Sequence, residues 1–208
     1  MRHFRGLVVG AIALALAGCG GMSANECELA NWEAVGYEDG VQGRSTDRFG
    51  KYRKNCAKHA VAPDFQTYQS GRKAGLREYC QPTRGFQEGA RGAKYASVCP
   101  SDLEAAFLDS YFAGKTLHDL QAAVKSTNHA IAKRKTRMDD IEKELVQVMA
   151  GALDGSTSDV YRAALIVETK QLAEERIRLE NEVDDLKDQL SDEREDLEAQ
   201  REQVASRT

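Results

Sequence analysis

The most regular pattern in the sequence is a seven-residue spacing of apolar side chains in its C-terminal half. Charged and polar residues fill most of the intervening positions, and no proline follows residue 115. Such heptads are typical of helices that pack along a coiled-coil seam. The main seam is Leu117, Val124, Ile131, Met138 and Leu145, and a second set of apolar positions is Leu120, Ile141 and Val148. We therefore expect one long helix over this stretch.

A second seam follows a break in the first. The break is the segment 151–158, whose glycines and hydroxyl side chains favour a turn, and Ser156 with Asp159 would cap the next helix. Beyond it the apolar positions are Leu165, Leu172, Leu179 and Leu186, continued by Val183, Leu190, Leu197 and Val204. The two seams predict an antiparallel coiled-coil hairpin. A parallel dimer joined through the second seam is the alternative.

The two seams also predict a register for the hairpin. Its layers would be Leu145 with Leu165, Met138 with Leu172, Ile131 with Leu179, Val124 with Leu186, and Leu120 with Leu190. The basic segment 133–137 would then lie beside Glu174 and Glu175, which is a small electrostatic preference. In the same register Arg134 would oppose Arg176. Either both side chains reach outward to solvent, or the true register or oligomeric state differs.

The N-terminal half has a different pattern, in which aromatic residues and glycines recur together. The related phrases are Gly36-Tyr37-Glu38-Asp39-Gly40-Val41-Gln42-Gly43, Tyr68-x2-Gly71-x3-Gly75, Phe86-x2-Gly89-x2-Gly92 and Tyr111-x2-Gly114. Glycines three or four residues apart share one face of a helix and let two helix backbones approach closely. Glycine at this density also occurs in loops. The sequence therefore leaves short packed helices and glycine-rich loops as competing structures.

Helix start signals favour the short helices. Pro63-Asp64 and Pro82-Thr83 precede two of the phrases, and Ser101 to Glu104 has the pattern of a capping box. The predicted helices are 28–43, 47–56, 64–79, 84–97 and one that begins at residue 102.

Composition changes near residue 115. Of the 14 aromatic residues, 12 lie between Trp32 and Phe112, and all three prolines lie in the same stretch. The sequence therefore predicts an all-α protein with a small disulfide-bearing helical domain at 27–115 and the hairpin at 116–208.

The first 18 residues have the three parts of a secretory signal: a basic start with Arg2 and Arg5, an apolar run and a small-residue end. The run is too short to span a membrane. The ending Leu16-Ala17-Gly18-Cys19 resembles the lipobox of bacterial lipoproteins, in which the cysteine is joined to diacylglycerol and becomes the first residue. An ordinary secretory signal is the alternative. We expect lipidation of Cys19 and a short tether at 19–26.

The residue after the lipidated cysteine bears on location. Gly20 stands where an aspartate would be expected for retention in the inner membrane, which resembles outer-membrane sorting. We expect the protein on the periplasmic face of the outer membrane.

Four cysteines remain besides Cys19, namely Cys27, Cys56, Cys80 and Cys99. An even number in an oxidising compartment predicts two disulfides. In a simple up-and-down bundle three of these cysteines would gather at one end and leave Cys80 at the other, too far for two bridges. Either the topology is not of that kind or the helix boundaries are wrong. Cys27 with Cys56 and Cys80 with Cys99 is the preferred pairing.

Charge and residue spacing exclude several classes of function. The sequence has 29 basic and 33 acidic residues, and removing the signal lowers the net charge from −4 to −6, which disfavours nucleic acid as a partner. Neither a Cys-x-x-Cys pair nor a histidine cluster indicates a metal site. No nucleophile with a base and no phosphate-binding glycine loop is found, so we expect neither enzyme activity nor a cofactor.

Three aromatic residues and one acid in the N-terminal half are the remaining candidates for a site. Trp32, Tyr37, Asp39 and Tyr68 would suit a groove for a glycan or peptide. In a small domain such residues more often form the core.

A family resemblance rests on Asn31-Trp32, Gly36-Tyr37-x-Asp39-Gly40-x2-Gly43-Arg44, Tyr79-Cys80 and Val98-Cys99-Pro100. With these motifs, residues 27–115 resemble a proteobacterial family of small lipoproteins whose domain has no known function. The resemblance implies export and paired cysteines, and it brings no catalytic residues. The hairpin looks like an addition to that family.

These patterns lead to an expected function. We expect a lipid-anchored, non-enzymatic scaffold or adaptor whose coiled-coil arm holds another envelope protein or its own copy. The alternative is a periplasmic binding module or inhibitor in which the aromatic domain captures a glycan, a peptide or a hydrolase.

Overall fold

The computed structural model describes residues 21–206. The signal and the segment Leu16-Ala17-Gly18-Cys19 lie outside the described residues, as do residues 207 and 208. The described chain is all-α, as the sequence predicts. Its helices are α1 (Ala24–Leu29), α2 (Trp32–Val41), α3 (Asp47–Ala57), α4 (Phe65–Tyr79), α5 (Pro82–Ala90), α6 (Ser101–Leu153) and α7 (Asp159–Ala205). In this part of the chain no helix is both long and apolar enough to cross a membrane.

The described chain divides into two compact units. The N-terminal unit comprises residues 21–78 and the C-terminal unit comprises residues 79–206. The boundary predicted near residue 115 does not coincide with this division, because α6 runs unbroken through that position. The start of α6 and the first arm of the hairpin are therefore one helix.

The helix predicted at 28–43 is in fact two helices. Helix α1 ends at Leu29, and α2 begins after Asn31. The side-chain oxygen of Asn31 accepts hydrogen bonds from the backbone N–H groups of Glu33 and Ala34, each at 3.1 Å. Asparagine is a strong N-cap because it satisfies donors that the first turn leaves unpaired. This cap accounts for the break.

Two predictions about the C-terminal unit are also wrong. Helix α5 ends at Ala90, before the predicted end, and Gly92 follows with a φ of 73°, a left-handed conformation that ends the helix. The predicted capping box does not form, because Pro100 holds the N-cap position of α6 without a side-chain cap. Glu104 instead accepts a hydrogen bond from the hydroxyl of Tyr95 at 2.9 Å.

Helices α2 and α4 pack backbone against backbone in the N-terminal unit, and we call them the first glycine pair. A Cβ atom added to Gly36 or Gly40 would lie closer than 3.0 Å to backbone atoms of α4. One added to Gly71 or Gly75 would meet the backbone of α2 in the same way. The predicted role of the spaced glycines is therefore confirmed.

Helices α5 and α6 form a second glycine pair in the C-terminal unit. A Cβ atom on Gly85 or Gly89 would meet the backbone of α6, and one on Gly114 would meet the backbone of α5. The partner carbonyls are equivalent as well, since Gly36 faces that of Tyr68 and Gly85 faces that of Phe107. The two glycine pairs are therefore two copies of one arrangement.

The equivalence extends beyond the packing glycines. Gly43 and Gly92 both have left-handed φ angles, of 63° and 73°, three residues after Gly40 and Gly89. In both copies the backbone N–H of the left-handed glycine bonds to the carbonyl three residues back, at 2.9 and 2.8 Å. The acids Asp39 and Glu88 are also equivalent, and both are buried.

Each unit has its own aromatic core. In the N-terminal unit the rings of Trp32, Phe49 and Tyr68 pack together with the first disulfide. In the C-terminal unit the buried ring of Phe107 contacts Tyr79, Tyr95 and Tyr111, with ring centroids 5.0 to 6.2 Å apart.

The predicted disulfides form, with the preferred pairing. Cys27 bonds to Cys56 and Cys80 bonds to Cys99, and the Cα atoms in each bridge are 5.6 Å apart. The difficulty foreseen for an up-and-down bundle does not arise, because the first bridge closes within the N-terminal unit and the second within the C-terminal unit.

The predicted intrachain hairpin is present, formed by α6 from about residue 115 together with α7. Side chains join the two helices along its length. Arg137 forms an ion pair with Glu175 at 2.9 Å, and the hydroxyl of Thr127 donates a hydrogen bond to Glu193 at 2.9 Å. The hairpin is antiparallel because contacts that lie later in α7 involve positions earlier in α6.

The predicted layers of the hairpin are wrong, although the ion pair of Arg137 with Glu175 confirms that the basic segment 133–137 lies beside that acid. Leu165 lies against Gly151, where an added Cβ would be 3.2 Å from the leucine side chain, and not against its predicted partner. Arg134 donates a hydrogen bond to Glu182 at 2.6 Å, so it does not oppose Arg176. The two helices are displaced by about one heptad from the predicted layers.

The connecting turn explains this shift. Helix α6 continues to Leu153, so the connection is 154–158 and not 151–158. Asp154 accepts hydrogen bonds from the backbone N–H and the hydroxyl of Ser156, at 2.8 and 2.7 Å. Ser158 then caps α7, a role that the sequence assigned to Ser156. A shorter turn brings later residues of α6 opposite the start of α7.

Candidate functional site

The four residues predicted as a binding surface do not lie together on the surface of the protein. Trp32, Asp39 and Tyr68 are 8%, 2% and 0% exposed, and Tyr37 is half-buried. The rings of Trp32 and Tyr68 pack against Phe49. Trp32 and Tyr68 are core residues of the N-terminal unit, which was the competing interpretation, whereas the hydroxyl of Tyr37 donates a hydrogen bond to the exposed Glu78.

Buried Asp39 is held by side chains from outside its own helix. Its carboxylate accepts hydrogen bonds from the hydroxyls of Tyr68 at 2.8 Å and Tyr52 at 3.3 Å, and Arg44 lies 3.4 Å away. Burial, followed by the hydrogen bond to this carboxylate, raises the pKa of Tyr68 well above its ordinary value. The tyrosine therefore stays protonated as a donor, and the cluster ties α2 to α3 and α4.

The equivalent acid of the C-terminal unit has a comparable role. Glu88 forms ion pairs with Arg84 at 3.3 Å and with Arg91. Burial, with a smaller contribution from Glu88, raises the pKa of nearby Tyr79 to about 12. Both buried acids have cationic partners on or beside their own helix, so both stabilise a fold and neither faces an open cavity.

The tip of the hairpin carries the main exposed apolar surface among the described residues. We define the tip as residues 146–167, the last turns of α6, the connection and the first turns of α7. Leu153 and Val160, which flank the connection, are 82% and 85% exposed. The remaining exposed apolar residues of the tip are Val146, Met149, Tyr161, Ile166 and Val167. Several exposed apolar side chains in one short segment are typical of a site of association.

The tip is also poor in charge. It contains only Asp154, Asp159 and Arg162, whereas 30% of the whole chain is charged. Arg162 is directed back to the turn, where it donates hydrogen bonds to the carbonyls of Asp154 and Thr157 at 3.3 and 3.1 Å. Few charged side chains therefore border the apolar side chains of the tip.

The remainder of the hairpin has the opposite character. Its surface carries ion pairs between and along the helices, such as Arg137 with Glu144 at 2.7 Å and Arg176 with Glu180 at 3.1 Å. Exposed pairs of this type add little stability but keep a long helix soluble. We call this remainder of the hairpin, residues 115–145 and 168–205, the shaft. It differs from the tip in its polarity.

Each glycine pair has a groove along its outer side. The N-terminal groove has a volume of about 330 Å³ and is lined by Asn31, Glu33, Ala34, Tyr37, Glu38, Gly71 and Ala74. The C-terminal groove has a volume of about 580 Å³ and is lined by Pro82, Thr83, Phe86, Gln87, Asp109, Ser110, Ala113 and Val204. Apart from Val204, most of these residues occupy equivalent positions in the two copies.

Potential metal ligands and free thiols are not gathered into a site in residues 21–206. No group of three or more His, Cys, Asp or Glu side chains there is placed to hold a metal ion. All four described cysteines are in disulfides, so no thiolate nucleophile is available among them.

The apolar tip was missed in the sequence, although a signal for it exists. The turn at 151–158 was identified from its glycines, and the stretch around it has seven large apolar residues outside the seam and few charges. Apolar residues beyond the seam positions have no partner within a two-helix hairpin. Because these additional apolar residues flank the predicted turn, the sequence indicates an exposed apolar surface at the end of the hairpin.

Comparison with known proteins adds one match. No curated protein and no solved structure matches the chain significantly. Residues 31–116 match a family described as "Protein of unknown function (DUF2799)". The match includes both glycine pairs and stops two residues after Gly114, so the rest of the hairpin lies beyond it. Over that stretch the chain is similar to an uncharacterised family, in agreement with the resemblance drawn from the motifs.

Proposed function

We propose that the protein is a lipoprotein, anchored through Cys19 on the periplasmic face of the outer membrane, that binds a partner envelope protein with the tip of its hairpin. It is an adaptor and not an enzyme. The anchor is supported by the lipobox-like segment, and export is consistent with two disulfides.

One observation carries the binding function, namely the exposed apolar tip at the end of a long polar shaft. Burying a large apolar side chain contributes about 1.5 to 3 kcal/mol, so a few of the tip residues supply enough free energy for association. A shaft that keeps its ion pairs in water presents this surface at a distance from the second glycine pair, which lies in the same unit.

A position-specific cross-link tests the tip. With a photoreactive amino acid at Leu153 or Val160, we expect a covalent adduct with one envelope protein after irradiation of intact cells. Adding Leu153→Glu or Val160→Glu to a chain that carries the probe at the other position should reduce the adduct at least about tenfold, because each change removes about 2 kcal/mol of apolar burial.

Ile177 provides the matched control, because it is 58% exposed on α7 but lies ten residues beyond the tip. The probe at Ile177 should give no adduct of the same mass. An equal adduct at Ile177, or none at any tip position, would contradict binding by the tip.

A second prediction concerns the anchor. Cells grown with a labelled fatty acid should incorporate label into the wild-type protein and not into Cys19→Ser, because the lipobox chemistry joins diacylglycerol, with its fatty acids, to the thiol of that cysteine. The variant should also keep its signal and migrate as a longer chain. Equal labelling of both proteins would rule out lipidation at Cys19.

A further inference from the structure

The two grooves differ in what borders them. In the C-terminal unit the last turns of α7 lie beside the groove, where Val204 lines it and the side-chain amide of Gln200 donates a hydrogen bond to the carbonyl of Ala113 at 3.1 Å. The outer side of the second glycine pair is thus a place where a helix already docks.

The N-terminal groove presents the same kind of surface, and among residues 21–206 no helix other than α2 and α4 lines it. Its floor is made of Ala34, Gly71 and Ala74, and the ring of Tyr37 stands where Phe86 stands in the other copy. All the residues that line it come from α2, α4 or the cap of α2. Small residues at the floor leave room for an approaching helix.

The rims of the grooves differ in charge. Glu33 and Glu38 line the N-terminal groove at the positions that the neutral residues Pro82 and Gln87 occupy in the C-terminal one, where Asp109 is the single acid. A third carboxylate, that of Glu78, accepts a hydrogen bond from the hydroxyl of Tyr37 at 2.7 Å. The N-terminal groove is therefore the more acidic of the two.

This acidity selects the occupant. The last turns of α7 are themselves acidic, with six acids and two arginines in residues 192–202, so a second copy of α7 would meet like charge at Glu33 and Glu38. We infer that the N-terminal groove binds a basic amphipathic helix of a partner protein, with its apolar stripe on the small-residue floor and its lysines or arginines on the rim.

This surface is distinct from the tip and does not depend on it. The hairpin tip lies in residues 146–167 of the C-terminal unit, whereas the groove lies wholly in the N-terminal unit. Loss of one binding activity would leave the other unchanged, so the two proposals fail separately.

The test measures binding of two labelled peptides to residues 20–208, exported so that both disulfides form. The first is a helical peptide of Leu, Ala and Lys, about 18 residues and so about 27 Å long, and the second has Glu in place of every Lys. We expect the basic peptide to bind and the acidic one not to bind, by fluorescence anisotropy. Glu33→Gln with Glu38→Gln should weaken binding about tenfold.

Two further variants separate the groove from general charge attraction. Glu28→Gln with Glu195→Gln removes the same charge from exposed positions outside the groove and should change affinity less than about twofold. Ala74→Trp fills the floor without changing charge and should also weaken binding. Failure of the basic peptide to bind, or equal losses in the rim and control variants, would overturn the inference.

Discussion

Replacing Gly71 by alanine should lower the free energy of unfolding of the N-terminal unit by more than about 2 kcal/mol. The new Cβ would overlap the carbonyl of Glu33 on α2. Backbone atoms cannot move aside as a flexible side chain can, so the first glycine pair would have to separate along its length. Urea unfolding followed by the fluorescence of Trp32, the single tryptophan and a core residue of this unit, measures the loss.

Gly50 gives the matched control within the same unit. It lies in α3, and a Cβ there would meet nothing within 4 Å. Gly50→Ala should therefore raise stability, by up to about 1 kcal/mol, through helix propensity alone. Equal destabilisation by both substitutions would show that the glycines are not needed for close approach of α2 and α4.

Removing the first disulfide should have a comparable or larger effect. In the chain-entropy treatment a bridge across a sequence separation of 29 residues contributes about 3 to 4 kcal/mol. Cys27→Ser with Cys56→Ser should lower the unfolding free energy by that amount, because the unfolded chain regains the conformational freedom that the bridge removes. The same urea titration, read by tryptophan fluorescence, measures it.

The second bridge supplies the control for this prediction. Cys80→Ser with Cys99→Ser removes a bridge of separation 19 from the other unit. That double variant should leave the transition of Trp32 in place if the two units unfold independently. A first-bridge variant as stable as the wild type would contradict the expected contribution.

Much of the fold could be predicted because its signals are local and repeated. Heptads specify a packed helix without knowledge of its neighbours, and glycines at spacings of three and four specify a smooth helix face. The register could not be fixed in the same way, since a heptad seam matches equally well when shifted by seven residues. The end of α6 at Leu153 and the pairing of Arg134 with Glu182 decide it.

The candidate site was less accessible to sequence reasoning. Asp39 beside a glycine is usually a solvated residue or a cap, and its burial depends on Tyr52 and Tyr68, which lie 13 and 29 residues away. The grooves depend on how pairs of helices come together. Only the tip could have been predicted from the sequence, because its apolar residues lie outside the heptad positions of the seams.

The continuity of α6 has a mechanical consequence. From Gly114, where α6 is locked against α5, the same helix runs about 60 Å to Leu153 without a proline or a loop. A force applied at the far end, such as the proposed partner would exert, is therefore not absorbed by a joint. It acts as a torque on the α5–α6 contact, so the hairpin behaves as a lever whose fulcrum is the second glycine pair.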